Sequence, residues 1–83
     1  MNTQLLIELF DIESEEFVDE IDISHYDLKK INIICPPYDE FDYQYCDSYE
    51  IMEADYINLK YYITELQNID FTKFSMGIIT RRI

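Results

Sequence analysis

His25 is the single histidine of the 83-residue chain, so a Ser-His-Asp triad or a multi-histidine metal site has one imidazole to draw on. Its place in the first turn of an expected helix reads as a solvated side chain. Cys35 has no base nearby in sequence to favour thiolate, and no CxxC spacing joins it to Cys46. They read first as reduced thiols, with a disulfide between them as the second reading, and Cys35 reads as a small core residue. Paired carboxylates abound, at Glu15-Glu16, Asp19-Glu20 and Asp39-Glu40. Glycoside hydrolysis needs two such groups facing each other across a sugar cleft. A chain this short, with no Trp and only Gly77 for glycine, offers little room for one. The run Asp39-Glu40-Phe41-Asp42 lacks the loop glycine and the ligand ladder of a calcium loop. A Gly-rich phosphate cradle is excluded on the same count. The expectation is a protein that is not an enzyme, with no cofactor and no functional metal.

Charge is the dominant feature. Eighteen acids against six Lys and Arg give a formal net charge of −12. Self-repulsion of that size opposes compaction, and solubility alone asks for less, so a function that uses negative field is the natural account. The acids come in two runs without a base. Asp11, Glu13, Glu15, Glu16, Asp19, Glu20 and Asp22 form the first; Asp39, Glu40, Asp42, Asp47, Glu50, Glu53 and Asp55 form the second. Direct nucleic-acid binding is disfavoured, because phosphate neutralisation needs a Lys/Arg patch and the only paired bases near an end are Arg81 and Arg82. The opening Met1-Asn2-Thr3-Gln4-Leu5-Leu6-Ile7-Glu8 has no basic n-region and meets an acid too early for a signal peptide. No apolar run approaches the ~20 residues of a membrane span. A cytoplasmic location with no membrane partner is expected.

The elements that must carry these residues follow from periodicity. Leu5, Ile7 and Leu9 alternate with Leu6, Glu8 and Phe10 as a strand; Phe17, Ile21 and Ile23 alternate with Val18, Glu20 and Asp22 as a second. The two make an antiparallel hairpin, with Asp19 off parity and so marking a bulge or an edge. Ser24 is the expected N-cap of a short helix through Leu28, Ile31 and Ile34, with Lys29 and Lys30 to solvent, stopped at Pro36-Pro37. Over 41–51 the parity is nearly strict and predicts a long strand: Phe41, Tyr43, Tyr45, Tyr49 and Ile51 on one face, Glu40, Asp42, Gln44, Cys46, Ser48 and Glu50 on the other, with only Asp47 out of register. Tyr56, Leu59, Ile63 and Leu66 stripe a helix over 53–67, flanked by Tyr62. Phe71, Phe74, Met76, Ile78 and Ile79 suggest a closing strand, with Gly77 a bulge or a point of close approach. The fold class is α+β: one domain, 1–83, with a small antiparallel sheet (β-β-α-β-α-β) and two helices packed on one face. Pairing of the hairpin with the third strand would bring both acidic runs to one side.

The segment Ile7-Glu8-Leu9-Phe10-Asp11-Ile12-Glu13-Ser14-Glu15-Glu16-Phe17-Val18-Asp19-Glu20-Ile21 resembles the opening hairpin of small acidic bacterial immunity-type proteins. Tyr49-Glu50-Ile51 running into a helix is similar to the same group, although Met52 stands where a threonine-type cap is usual. Such proteins belong to polymorphic and contact-dependent growth inhibition toxin systems, where each neutralises a cognate toxin, often a nuclease. The resemblance implies an immunity protein that covers the nucleic-acid-binding or active-site cleft of a basic toxin domain. It carries over no contact residues. From charge and aromatic character, Glu13, Glu15, Glu16, Asp39, Glu40 and Asp42 are the expected contact charges, with Tyr38 as an anchor. The same charge pattern fits a phage- or plasmid-encoded DNA mimic that inhibits a restriction or CRISPR-type nuclease. It also fits a structural subunit of a larger assembly, in which charge serves solubility.

Overall fold

The computed structural model describes residues 3–82; Met1, Asn2 and Ile83, the first two part of the N-terminal run read above, lie outside the described residues. The fold is α+β. Strands β1 (Thr3–Asp11) and β2 (Phe17–Asp22) form the hairpin, followed by α1 (Leu28–Ile34), β3 (Tyr49–Glu50), α2 (Glu53–Tyr62), a 3-10 turn at Thr64–Asn68, and β4 (Phe74–Arg82). The sheet is antiparallel throughout, in the order β2-β1-β4-β3. Both helices cover one face.

The two long central strands explain why the apolar parity was readable. Leu5, Ile7 and Leu9 of β1 lie beside Met76 and Ile78 of β4 and face the helices, joining Ile23, Ile31, Ile51, Tyr56, Leu59, Ile63 and Leu66 in one core. The helical stripe Tyr56-Leu59-Ile63-Leu66 is buried along its length. The helix itself ends sooner than its stripe. Ile63 leaves helical geometry at φ −97° and ψ 95°, and the chain tightens into the 3-10 turn. The Tyr56 hydroxyl donates to Leu66 O at 3.1 Å and Ile69 O at 2.6 Å, fixing that turn under the core. At the other helix Asp27, not Ser24, is the N-cap, its carboxylate accepting from Lys29 N at 2.9 Å. Ser24 Oγ instead accepts from Leu5 N at 2.9 Å, closing the end of the hairpin.

β2 is both an edge and bulged. Leu9 pairs with Asp19 but Phe10 pairs with Phe17, so Val18 is the extra residue just before the off-parity Asp19. The largest departure from expectation is at 41–51, where only Tyr49 and Glu50 pair as strand. Residues 36–48 are a loop. Side-chain carboxylates there take the backbone donors a ladder would need: Asp39 Oδ1 accepts from Phe41 N, and Asp42 accepts from both Cys46 N and Asp47 N. Tyr45 sits at φ 56°, in the left-handed region, which ends any strand parity through it.

Gly77 pairs with Glu8 on one side and Glu50 on the other in unbroken register, so it is a close-approach point and not a bulge. A Cβ there would lie 3.2 Å from Ser48 Oγ.

Candidate partner-docking surface

The loop 36–48 is assembled from two consecutive turns. Asp42 N donates to Asp39 O at 2.9 Å, and Tyr45 N donates to Asp42 O at 3.0 Å. Asp42 is the centre: besides Cys46 N at 2.8 Å and Asp47 N at 3.0 Å, its carboxylate accepts the Tyr49 hydroxyl at 2.8 Å. The backbone donors of Asp47 and Cys46 hold the Asp42 carboxyl below the usual carboxylate range. Desolvation, followed by the hydrogen bond to Asp42, pushes the Tyr49 phenol up to about 12. Asp42 is therefore ionised at neutral pH and committed to the loop's own backbone.

Tyr45 anchors the loop to the sheet. Its side chain is wholly buried, its hydroxyl donates to Cys35 O, and its carbonyl accepts from Thr80 N at 2.7 Å. Burial, with the nearby Cys35 and Asp55, raises its phenol and keeps it neutral. The Thr80 hydroxyl donates to Gln44 O beside it. With Tyr45 turned inward, its neighbours turn outward: Tyr38 is 100% exposed, Phe41 85% and Tyr43 55%. Asp39, Glu40 and Asp47 are exposed among them, and no base lies in the loop. Exposing aromatic area of this kind costs solvation free energy unless something covers it, and an acidic rim sets the sign of what does.

Of the residues expected at an interface, Tyr38, Asp39, Glu40 and Asp42 are thus brought together in one loop, with Asp42 as its internal brace. Glu13, Glu15 and Glu16 lie elsewhere, exposed in the β1–β2 turn. There Asp11 Oδ1 accepts from Ser14 N and Glu13 N, Asp11 O accepts from Glu15 N at 2.8 Å, and Glu15 closes the turn at φ 63°. The turn follows Asp11, which pairs with Phe74, whereas the loop is tied to Thr80. Six strand positions separate those anchors, roughly 20 Å. β4 stands between the hairpin and β3, so the acidic runs do not merge through strand pairing as the sequence had suggested. Phe41 and Tyr43 were missed as anchors because strict alternation placed them on a buried strand face. The signal that marks them as outward is the Asp spacing at 39 and 42, which favours turns.

Both thiols are held in their protonated form. Burial, then the nearby Asp55 charge, pushes the Cys35 thiol up to about 12. Desolvation and the hydrogen bond with Asp42 raise the exposed Cys46 thiol as well. His25 Nε2 lies 3.5 Å from Glu65 Oε2 at the surface, and the Tyr26 hydroxyl donates to the same carboxylate. Among the described residues no three His, Cys, Asp or Glu converge on a common point, and no helix is long and apolar enough to cross a membrane.

Fold and surface together define a small α+β domain with a one-sided helical layer and a braced aromatic-acidic loop. The chain matches the family described as a domain of unknown function, DUF7683, over residues 4–76, and belongs to it. No curated protein and no solved structure matches it.

Proposed function

We propose that the chain is an immunity-type inhibitor without catalysis of its own, which docks a basic partner protein through the loop 36–48. The observation that carries this reading is the exposure of Tyr38, Phe41 and Tyr43 among Asp39, Glu40 and Asp47 on a loop held rigid by Asp42 and Tyr45. Rigid aromatic anchors contribute desolvated contact area at little entropic cost, while the carboxylates steer a cationic surface at high rate. The partner of this reading is a cognate toxin domain, a nuclease being the expected case, whose phosphate-binding cleft would take the carboxylates in place of phosphates. The likeness of the hairpin to acidic immunity proteins agrees with it. Such a partner is encoded beside its inhibitor, so the test uses the protein specified by the adjacent gene. Phe41→Ala with Tyr38→Ala is expected to weaken capture of that protein by about 100-fold or more in calorimetry, with loss of protection in cells. Wild-type affinity should also fall as salt rises. Undiminished binding by the double variant would remove the loop from the interface, and failure of the wild-type chain to bind or protect would remove the immunity reading.

A further inference from the structure

The end of β4 farthest from the Thr80 contact of loop 36–48 borders an apolar groove. β3 stops at Glu50 and the chain enters α2 after Met52, whereas β4 reaches back to Phe74. The gap left beside β4 is a groove of about 240 Å³, with Ile51, Phe71 and Phe74 at depth and the exposed Ile12 and Met52 at its mouth. The strand edge along it is unpaired. Ile12 N donates to Lys73 O at 3.2 Å, and Ile51 N donates to Met76 O at 2.8 Å. Backbone groups alternate sides along an antiparallel strand, so the N–H and C=O of Phe74 point away from β1, on the side of the Met76 carbonyl. With β3 already ended, neither has a hydrogen-bond partner among the described residues. Glu50 and Glu53 line the groove and Glu13 adjoins Ile12, while the one nearby base, Lys73, is close to Asp70.

We propose that this groove is a docking site for an extended basic segment of a partner protein, which seats one leucine-sized side chain between Ile12 and Met52 and pairs its backbone with Phe74. The volume falls below the roughly 300–1,000 Å³ of small-molecule sites and suits a single aliphatic side chain. An added strand satisfies the open backbone pair, and burial of the apolar side chain supplies affinity. The acids at the rim set the sign of what flanks that side chain, which is Lys or Arg. A second copy of this chain is disfavoured as the occupant, since each copy carries −12. Loop 36–48 is tied to Thr80 at the other end of β4, so the groove stands independently of the docking reading above.

The test is an NMR titration of the whole chain at low salt with a blocked Lys-Thr-Lys-Leu-Lys-Thr-Lys peptide, its serine-for-leucine form and its glutamate-for-lysine form. The leucine peptide is expected to shift the amides of Ile12, Met52, Phe74 and Ser75 first, with the Phe74 amide proton moving downfield as it gains an acceptor. The serine form should bind about tenfold more weakly, and the glutamate form not at all. Ile12→Asn should weaken the leucine peptide about fivefold. Met52→Ser should do the same while raising the thermal midpoint, because it supplies the N-cap hydroxyl that α2 lacks; lost binding is then not lost folding. Equal binding of the serine form, undiminished binding by either variant, or shifts confined to 36–48 overturn the groove. So does the absence of any response to millimolar leucine peptide. Shifts at the groove that grow with protein concentration alone would assign it to a second copy and overturn the basic occupant. The loop reading is decided separately, by capture of the neighbouring protein.

Discussion

Tyr45 concentrates at one residue what holds the docking loop in place. A bulky side chain at φ 56° persists only where surrounding contacts over-determine it, and here burial, the Cys35 carbonyl, the Asp42 carbonyl and Thr80 N all do so. Tyr45→Phe keeps the ring and deletes the hydroxyl, leaving the Cys35 carbonyl without that donor. The variant is expected to lose about 1–2 kcal/mol, seen as a lower urea midpoint at unchanged m-value. An unchanged midpoint would mean that packing alone places the loop. Residue types on their own did not distinguish Tyr45 from Tyr43: both sit on the same parity of an alternating run. What separates them is the capture of Cys46 N and Asp47 N by Asp42, a local competition whose outcome depends on Tyr49 and Thr80 being nearby to complete it.

At the scale of elements, β1, β4 and the α2 stripe were legible because each packs a regular face against one core, where period translates directly into burial. β2 is different, being mostly exposed. In its antiparallel ladder with β1, Glu20 and Asp22 occupy the pairs whose backbone groups point away from β1, since Ile23 N is the group that bonds Leu5 O. Those groups form a free edge. Asp19 Oδ1 accepts from Glu20 N at 2.8 Å and Asp22 Oδ1 from Ser24 N at 2.9 Å, so the edge's own carboxylates occupy donors that another strand would seek. With the bulge at Val18 and the repulsion of like charges, this guards against pairing between copies. Asp19→Val uncaps Glu20 N and removes one charge. Sedimentation should then reveal concentration-dependent self-association absent from the parent chain; a variant that stays monomeric at high concentration would show that the bulge suffices.

Over the whole molecule two electrostatic effects of opposite sign compete. The net charge of −12 opposes compaction, so added salt from about 20 to about 300 mM should raise the thermal midpoint by screening, while weakening partner capture. Mild acidification acts likewise as protons reduce that charge. Against this stand carboxyls held below their usual range: Asp11 by Ser14 N and Glu13 N, Asp22 by the Ser24 hydroxyl and amide, Asp42 by Asp47 N and Cys46 N, and Asp70 by Thr72. A depressed folded value contributes stability that is whole above the unfolded value of 3.8 and disappears as pH falls through the folded one. The midpoint is therefore expected to hold or rise from neutral pH to about 5 and to drop steeply below about 3.5, measured by circular dichroism melts. A monotonic fall from neutral pH downward would contradict the balance.

The amino-acid sequence by itself determined the charge, the absence of a second imidazole, the apolar faces of the long strands and of α2, and hence the α+β class. Those properties are local: composition and period suffice to state them. Tertiary structure alone decided that β4 enters between β1 and β3, which parts the two acidic runs, and that Tyr45 goes in while Tyr38, Phe41 and Tyr43 stay out. Strand order depends on pairing between segments far apart in the chain, and the course of 36–48 on hydrogen bonds to Thr80 and Tyr49, neither of which alternation along one segment encodes.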